Sequence, residues 1–178
     1  METKRCISSL TLEQLTAELK AMGQPGFRAK QIFHWVHQKL VTDFSAMTDQ
    51  PKALLAKLEE AFYIAAPIIE RRQEAKDGTV KYLFRAGAGR YIESVYIPDH
   101  DRATLCVSSQ VGCKMNCYFC ATGKLGFKAN LTAAQIINQI LSIPPEPQKG
   151  HEPMTPLTNV VFMGMGEPTD NLGPVLQA

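Results

Sequence analysis

Four of the five cysteines lie between residues 106 and 120, and three of them follow the spacing C-x3-C-x2-C. The thiolates of Cys113, Cys117 and Cys120 on one tight loop can each bind one iron of a four-iron cluster. The fourth iron is then left without a protein ligand, and catalysis on a small molecule requires such an open metal position. In a reducing compartment, clustered cysteines indicate metal binding or catalysis more than disulfides.

Structural zinc and buried unpaired thiols are the two alternatives to an iron–sulfur cluster. Structural zinc takes four ligands, usually as C-x2-C pairs from two separate loops. The chain has no second C-x2-C pair, so a fourth zinc ligand would have to be His100, Cys106 or His151. Four unpaired thiols this close in sequence are an unusual arrangement. The spacing therefore favours a [4Fe-4S] cluster.

Residues 1–65 carry the apolar spacing of three short amphipathic helices. Thr11 and Gln14 fit a capping box at the start of the first helix. The second helix is expected from about residue 28 to 41, and the third starts near Pro51, a favoured first-turn residue. We predict a small helical accessory domain over 1–65.

From about residue 68 the apolar period changes from helical to alternating. Asp77-Gly78 is a strong signal for a two-residue hairpin turn, and Pro98 is expected to end a strand. We predict an antiparallel β extension over residues 66–98. The expected strands here and just beyond are 68–75, 79–84, 90–97 and 103–108.

Residues 99–178 alternate strands and helices, as in a parallel sheet. After the strand at 103–108 we expect a helix at 131–141, a loop at 142–156, a strand at 159–163 and a helix start at 174–178. A parallel sheet needs several strands and covered faces, which these few elements cannot supply. We therefore predict an α/β protein that is cut short.

Composition and charge exclude some classes of protein and favour a polyanionic partner. The hydrophobic fraction of 45% and charged fraction of 20% exclude a disordered tail and a disulfide-packed miniprotein. The net charge is only +2, but residues 71–128 contain ten Lys and Arg against five Asp and Glu. No signal peptide or membrane span is visible, which predicts a cytoplasmic protein. Candidate contacts to an RNA backbone are Arg71, Arg72, Lys76, Lys81, Arg85 and Arg90.

Two longer segments resemble those of a known enzyme family. One runs from Asp101 to Phe127 through all four clustered cysteines, with an aromatic, Phe119, just before the third cluster ligand. The other is Met-Gly-Met-Gly-Glu-Pro at 163–168. Together they resemble the RlmN/Cfr family of radical S-adenosylmethionine (SAM) RNA adenine methyltransferases. The resemblance implies that residues 99–178 form the first units of a partial (β/α) barrel and that the N-terminal helices are an RNA-binding type of domain.

The resemblance also implies the cofactor ligands. Cys113, Cys117 and Cys120 match the three cluster ligands, and SAM binds the open iron. Gly166 and Glu167 match residues that contact the amino group of SAM. From the residues alone, the same segment reads equally as an ordinary turn with a solvated glutamate.

Glu93 and Cys106 are the predicted catalytic residues. Period-2 alternation places Glu93 on a strand face with apolar residues, where a carboxylate suits proton abstraction, although most strand glutamates are simply solvated. The resemblance makes Glu93 the base that removes the adenine proton. Cys106 reads as a buried apolar residue on pattern alone. The resemblance makes it the thiol that resolves a covalent enzyme–RNA intermediate by attacking a second, methyl-carrying cysteine.

That second cysteine is absent from the sequence, because no cysteine follows Cys120 and Cys6 has no assignable role. The chain alone is therefore expected to be inactive. The resemblance implies methylation of adenosine C2 in 23S ribosomal RNA and in transfer RNA, with an electron donor such as flavodoxin. The alternatives are a C8-directed methyltransferase of the same family, a radical SAM enzyme with an unrelated substrate, and a non-catalytic iron–sulfur or zinc RNA-binding module.

Overall fold

The structure is a computed structural model that describes residues 4–65, 67–87, 89–143 and 157–178. The protein is a mixed α/β chain whose contacts divide it into two compact units, Met1–Ala66 and Pro67–Ala178. The predicted loop at 142–156 lies almost wholly outside the described residues.

The first unit is helical, as predicted. Its elements are β1 (Arg5–Cys6), α1 (Leu12–Ala21), α2 (Phe27–His37), α3 (Lys52–Ala61) and β2 (Phe62–Tyr63), with β1 parallel to β2. The predicted capping box of α1 is confirmed, because Thr11 Oγ1 accepts the Gln14 N–H and Gln14 Oε1 accepts the Thr11 N–H. The helices bury Leu15, Leu19, Ile32, Val36, Leu54 and Leu58 in one core.

The predicted end of α2 at residue 41 is wrong. The helix ends at His37, and it cannot extend to residue 41 because Leu40 takes a left-handed conformation with φ of 53°. The N–H of Val41 then returns to the carbonyl of Trp35.

The second unit is built on one main sheet. Its elements are β3 (Ile69–Glu74), β4 (Val80–Gly87), β5 (Arg90–Asp99), β6 (Arg102–Cys106), β7 (Gln110–Val111), α4 (Ala121–Lys124), β8 (Ala129–Asn130), α5 (Ala133–Leu141), β9 (Asn159–Val161) and α6 (Leu172–Gln177). Strands β3, β4, β5, β6 and β9 are hydrogen-bonded in that order, and only β6 and β9 pair in parallel. The predicted boundary between the β extension and the following segment, at residues 98 and 99, falls inside β5. Strands from both sides of that boundary therefore share this sheet.

The predicted two-residue turn at Asp77-Gly78 is wrong. The loop between the predicted strand ends, Ala75 and Thr79, has three residues, 76–78, because the Ala75 N–H donates to the Thr79 carbonyl and Gly78 takes φ of 88°.

The predicted end of a strand at Pro98 is also wrong. Strand β5 runs through Pro98 to Asp99. Pro98 lies opposite Ala103 of β6. The N–H and carbonyl of Ala103 are hydrogen-bonded to Thr158, away from β5, so the missing proline N–H removes no hydrogen bond between β5 and β6.

The parallel pair β6 and β9 is joined through α5, which confirms the predicted strand–helix–strand order. Helix α5 starts after Thr132 with a capping box to Gln135. Its Ile136 is buried in one core with Tyr82, Ile92 and Tyr96 of the sheet. The buried face of the sheet is therefore the helix side, as it is on the outside of a (β/α) barrel. One parallel pair does not define a barrel, which stays a prediction.

Gln139 of α5 is a buried polar hub that the sequence pattern did not reveal. Its Oε1 accepts hydrogen bonds from Ser94 Oγ and from the Ser108 N–H, both at 2.8 Å. Its Nε2 donates to the Ser108 carbonyl, also at 2.8 Å. One side chain thus ties α5 to β5 and to the segment that follows β6.

Replacing Gln139 by methionine is expected to lower the free energy of unfolding of this unit by about 2 to 4 kcal/mol. The Ser108 N–H and carbonyl would lose their partners while buried, and each unsatisfied group costs about 1–3 kcal/mol. Urea denaturation followed by circular dichroism measures the effect. The matched control is Gln73→Met on exposed β3, which should change stability by less than about 0.5 kcal/mol. Equal effects of the two substitutions would contradict the role given to Gln139.

Candidate functional site

The three predicted cluster ligands lie on one closed loop, residues 112–128, which we call the cysteine loop. Strands β7 and β8 pair antiparallel at its base, and the Lys128 N–H donates to the Val111 carbonyl. Gly112 takes φ of 73°, and a Cβ there would overlap the carbonyl oxygen of Gly126. Only glycine allows the two arms of the loop to approach this closely.

Within the cysteine loop, the three thiols differ in exposure. Cys113 is buried, Cys117 is exposed and Cys120 is half-buried at the start of α4. Hydrogen bonds lower the pKa of the Cys120 thiol, chiefly the one from the Gly123 N–H, which stabilises its thiolate. Phe119, the aromatic before Cys120, is 79% exposed.

The donor set of the cysteine loop fits an iron–sulfur cluster. Three thiols fall on one loop, and N–H donation to a ligand sulfur is one of the means by which proteins tune such clusters. Among the described residues no three His, Cys, Asp or Glu side chains are already gathered around one metal position. The assignment of Cys113, Cys117 and Cys120 as cluster ligands therefore remains a prediction.

The segment after β9, residues 162–171, which we call the glutamate loop, is hydrogen-bonded to the segment between β6 and the cysteine loop. The Met165 carbonyl accepts the N–H groups of Ser109 and Gln110, and the Met165 N–H donates to Ser108 Oγ at 2.8 Å. The Glu167 N–H donates to Gln110 Oε1 at 3.0 Å. The two predicted cofactor segments, 53 residues apart from Cys113 to Gly166, are therefore neighbours.

Gly166 and Glu167 are held in place by the protein itself. Gly166 takes φ of 99°, and a Cβ there would lie 2.5 Å from Gln110 Cβ, so glycine is required by this packing alone. Glu167 caps a short 3₁₀ turn, because its Oε1 accepts the N–H and the hydroxyl of Thr169 at 3.1 and 2.7 Å. These hydrogen bonds lower the pKa of Glu167 and favour its carboxylate form. A SAM contact at both residues remains a prediction.

Glu93 and Cys106 lie on the same face of adjacent strands. Cys106 of β6 is directly opposite Val95 of β5, and Glu93 lies two residues along β5 on that face. This face is opposite to the one that buries Ile92 and Tyr96 against α5. Burial raises the pKa of the Cys106 thiol, which keeps it protonated at neutral pH.

The surroundings of Glu93 differ from the apolar environment expected. Its Oε1 lies 3.1 Å from Lys81 Nζ, and its side chain is 42% exposed. Lys81 is on neighbouring β4, diagonal to Glu93, and only the cross-strand register brings the two together. Glu93 is thus a half-exposed, ion-paired carboxylate in this chain.

Part of the predicted basic surface is also neutralised by ion pairs. Arg72 pairs with Glu74 at 3.0 Å, and Arg85 pairs with Glu70 at 2.6 Å. Arg85, Lys81 and Arg72 therefore offer less net positive charge to a phosphate backbone than their number implies. RNA contact by these residues remains a prediction.

Gln110 and Asp170 are polar residues of the site that the sequence did not single out. Gln110 is fully buried, and its Nε2 donates to Asp170 Oδ2 and to Asn130 Oδ1, both at 2.8 Å. Asp170 also forms an ion pair with Lys114 of the cysteine loop. The contact with Lys114, and to a smaller extent the one with Gln110, lowers the pKa of Asp170. No local pattern marks the two, because they are 60 residues apart.

The chain matches known proteins over both units. Residues 7–64 match the family profile of the ribosomal RNA large subunit methyltransferase N-terminal domain. A probable dual-specificity RNA methyltransferase RlmN of Parabacteroides distasonis is 54% identical over 97% of this chain and 48% of that protein. A dual-specificity RNA methyltransferase RlmN 2 of Myxococcus xanthus is 47% identical over 93% of this chain and 44% of that protein. The chain spans about half the length of the curated relatives it matches.

A solved structure agrees with these similarities. The crystal structure of a radical SAM methyltransferase from Sphaerobacter thermophilus superposes with a TM-score of 0.85 at 41% identity, covering 97% of this chain and 50% of that one. The described fold is therefore similar to the fold of that radical SAM methyltransferase over this span. Residues 7–64 thus match the N-terminal domain of ribosomal RNA large subunit methyltransferases, and nearly the whole chain is similar to about half of each protein named RlmN.

No helix in the described ranges is both long and apolar enough to cross a bilayer.

Proposed function

We propose that the chain is part of a radical SAM enzyme that methylates C2 of adenosine in 23S ribosomal RNA and in transfer RNA. One observation carries the proposal. Glu93 and Cys106 share the face of the sheet opposite α5, and the cysteine loop begins six residues after Cys106, beside the glutamate loop. This arrangement supports the proposal, because the predicted base, the predicted thiol and the two predicted cofactor loops would lie where ligands bind in parallel α/β folds.

Cys113, Cys117 and Cys120 would hold a [4Fe-4S] cluster, and Gly166 with Glu167 would hold the amino group of SAM. When bound, the cluster supplies the electron and the open iron position for SAM cleavage. The carboxylate of Glu167 is already oriented by Thr169, so an ammonium group meets a fixed acceptor. An electron donor such as flavodoxin would reduce the cluster.

Glu93 would accept the proton that leaves the adenine ring. Its Oε1 lies 3.1 Å from Lys81 Nζ, so the ion pair orients the carboxylate that would act as the base. Cys106 would then attack the sulfur of the methyl-carrying cysteine and form a disulfide with it, while the bond from that sulfur to the RNA-bound carbon breaks and the carbon takes up a proton to become the methyl group. The methyl-carrying cysteine would come from the half of the relatives that this chain does not cover. The buried thiol of Cys106 must first lose a proton, and Glu93 lies on the same face of the neighbouring strand.

Anaerobic reconstitution of the chain with iron and sulfide tests the class of protein. We expect about four iron and four sulfide per chain, and a change in the electron paramagnetic resonance (EPR) spectrum of the reduced cluster when SAM is added. Cys117→Ser should abolish cluster formation, because one iron loses its ligand.

The matched control is Cys6→Ser, which changes a thiol in the first unit and should leave iron uptake unchanged. Zinc binding without iron–sulfur absorption would overturn the enzyme assignment. A cluster whose spectrum ignores SAM would leave only an iron–sulfur RNA-binding module.

A further inference from the structure

We propose that Lys114 and Asp170 form a clasp that positions the cysteine loop on the glutamate loop. The ion pair joins Lys114 Nζ to Asp170 Oδ1 at 2.5 Å. Lys114 lies between Cys113 and Cys117, and Asp170 lies three residues after Glu167. The pair therefore links the predicted cluster ligands to the predicted SAM contact, and its importance for cofactor binding rests on the proposed function.

Asp170 is the fixed half of the clasp. Its Oδ2 accepts a hydrogen bond from Gln110 Nε2 at 2.8 Å, and its side chain is only 18% exposed. The next residue, Asn171, is buried and donates from Nδ2 to the carbonyls of Ser109 and Leu131, both at 2.8 Å. The Asp170 carboxylate is thus held in place by the hydrogen bond to its Oδ2 and by the buried neighbour Asn171, which fixes the adjacent backbone.

Gln110 fixes the orientation of that carboxylate. Its amide is fully buried, with Nε2 facing Asp170 and Asn130 and with Oε1 accepting the Glu167 N–H. A flipped amide would place its oxygen against the carboxylate and its NH2 group against an N–H donor, so only this orientation satisfies the network.

Lys114 is the exposed half of the clasp. Its side chain is 55% exposed and belongs to the arc that carries the cysteines, whereas β7, β8 and the Gly112–Gly126 contact lie at the base of the loop. Release of Lys114 would leave that arc attached at its base. A ligand that contacts both loops would then bind more weakly, because part of its binding free energy would be used to order the arc.

Hydrogen exchange of the cofactor-free chain tests the clasp without any iron or SAM. Lys114→Met and Asp170→Asn are each expected to speed exchange about tenfold at the hydrogen-bonded N–H groups of Cys120, Leu125 and Gly126, because each substitution removes a charge-assisted hydrogen bond that holds the loop. If the two act as one pair, the double variant should exchange about as fast as either single variant. Lys114→Arg should keep the slow exchange, because it keeps the charge.

The control is Arg102→Met, which removes an exposed pair with Asp99 in the same unit and should leave exchange in the cysteine loop unchanged. After reconstitution, the clasp variants should hold the same iron content but bind SAM about tenfold more weakly, measured as the SAM dependence of the EPR change.

Unchanged exchange in either single variant, or multiplied effects in the double variant, would overturn the clasp. Unchanged SAM affinity on a fully loaded cluster would overturn its link to cofactor binding. Failure of the unmodified chain to take up iron would instead refute the proposed function, while the exchange result would still decide the clasp.

Discussion

Replacement of Gly112 by alanine is expected to separate the arms of the cysteine loop and to abolish stable iron uptake. The new Cβ would overlap the Gly126 carbonyl oxygen, and φ of 73° adds about 1–2 kcal/mol of backbone strain for any residue with a side chain. The oxygen belongs to backbone, so relief requires β7 and β8 to part. We expect a total cost of about 3 to 5 kcal/mol.

Urea denaturation measures the loss of stability, and iron content after anaerobic reconstitution measures the loss of the site. Gly173→Ala in α6 is the matched control, because its Cβ would meet nothing within 4 Å. Alanine there gains helix propensity, but Pro174 directly after it disfavours a helical backbone for a residue with a Cβ, so stability should change by less than about 1 kcal/mol and iron uptake should stay intact. A Gly112→Ala chain with normal stability and iron content would show that the loop closure is not as described.

The second large effect is expected from Glu93→Gln and Cys106→Ala. Both need a chimera that joins this chain to the part of the Parabacteroides distasonis relative that it does not cover. Removing the base at residue 93 should slow RNA methylation about 10²–10⁴-fold. Removing the thiol at residue 106 should stop product release, so that RNA accumulates covalently bound to the protein.

Radiolabelled methyl transfer from SAM measures turnover, and a denaturing gel separates the covalent complex from free RNA. Glu70→Gln is the control for the carboxylate, since Glu70 is also ion-paired, with Arg85, on the same sheet. Cys6→Ala is the control for the thiol. Normal turnover and RNA release by both site variants would refute the assigned roles.

Local sequence patterns predicted the elements well and their ends less well. The Thr11–Gln14 capping box is a contact between near neighbours, so the start of α1 was readable from the sequence. The end of α2 was not, because nothing local marks the left-handed turn at Leu40. The prediction that Pro98 ends a strand was wrong for a similar reason. Only the pairing of Pro98 with Ala103 determines whether the missing proline N–H removes a hydrogen bond between strands.

The surroundings of the predicted catalytic residues were also beyond local patterns. Alternation correctly placed Glu93 on one face of β5, but it could not supply Lys81, which comes from the neighbouring strand through the register. The same register brings Cys106 to that face. Alternation along one strand predicts which face a side chain occupies, but it does not predict which residues of the neighbouring strand lie beside it.

The sequence by itself determined the chemistry that this protein carries: three cysteines at cluster spacing, a glycine-rich segment ending in Glu167, and the order of helices and strands. Tertiary structure alone decided which of these segments meet. Gln110 and Asp170 are 60 residues apart, and Ser108 and Gln139 are 31 apart, so their hydrogen bonds leave no periodic trace in the chain. Periodicity records the face that each element buries, whereas contacts between elements depend on how the sheet and α5 pack.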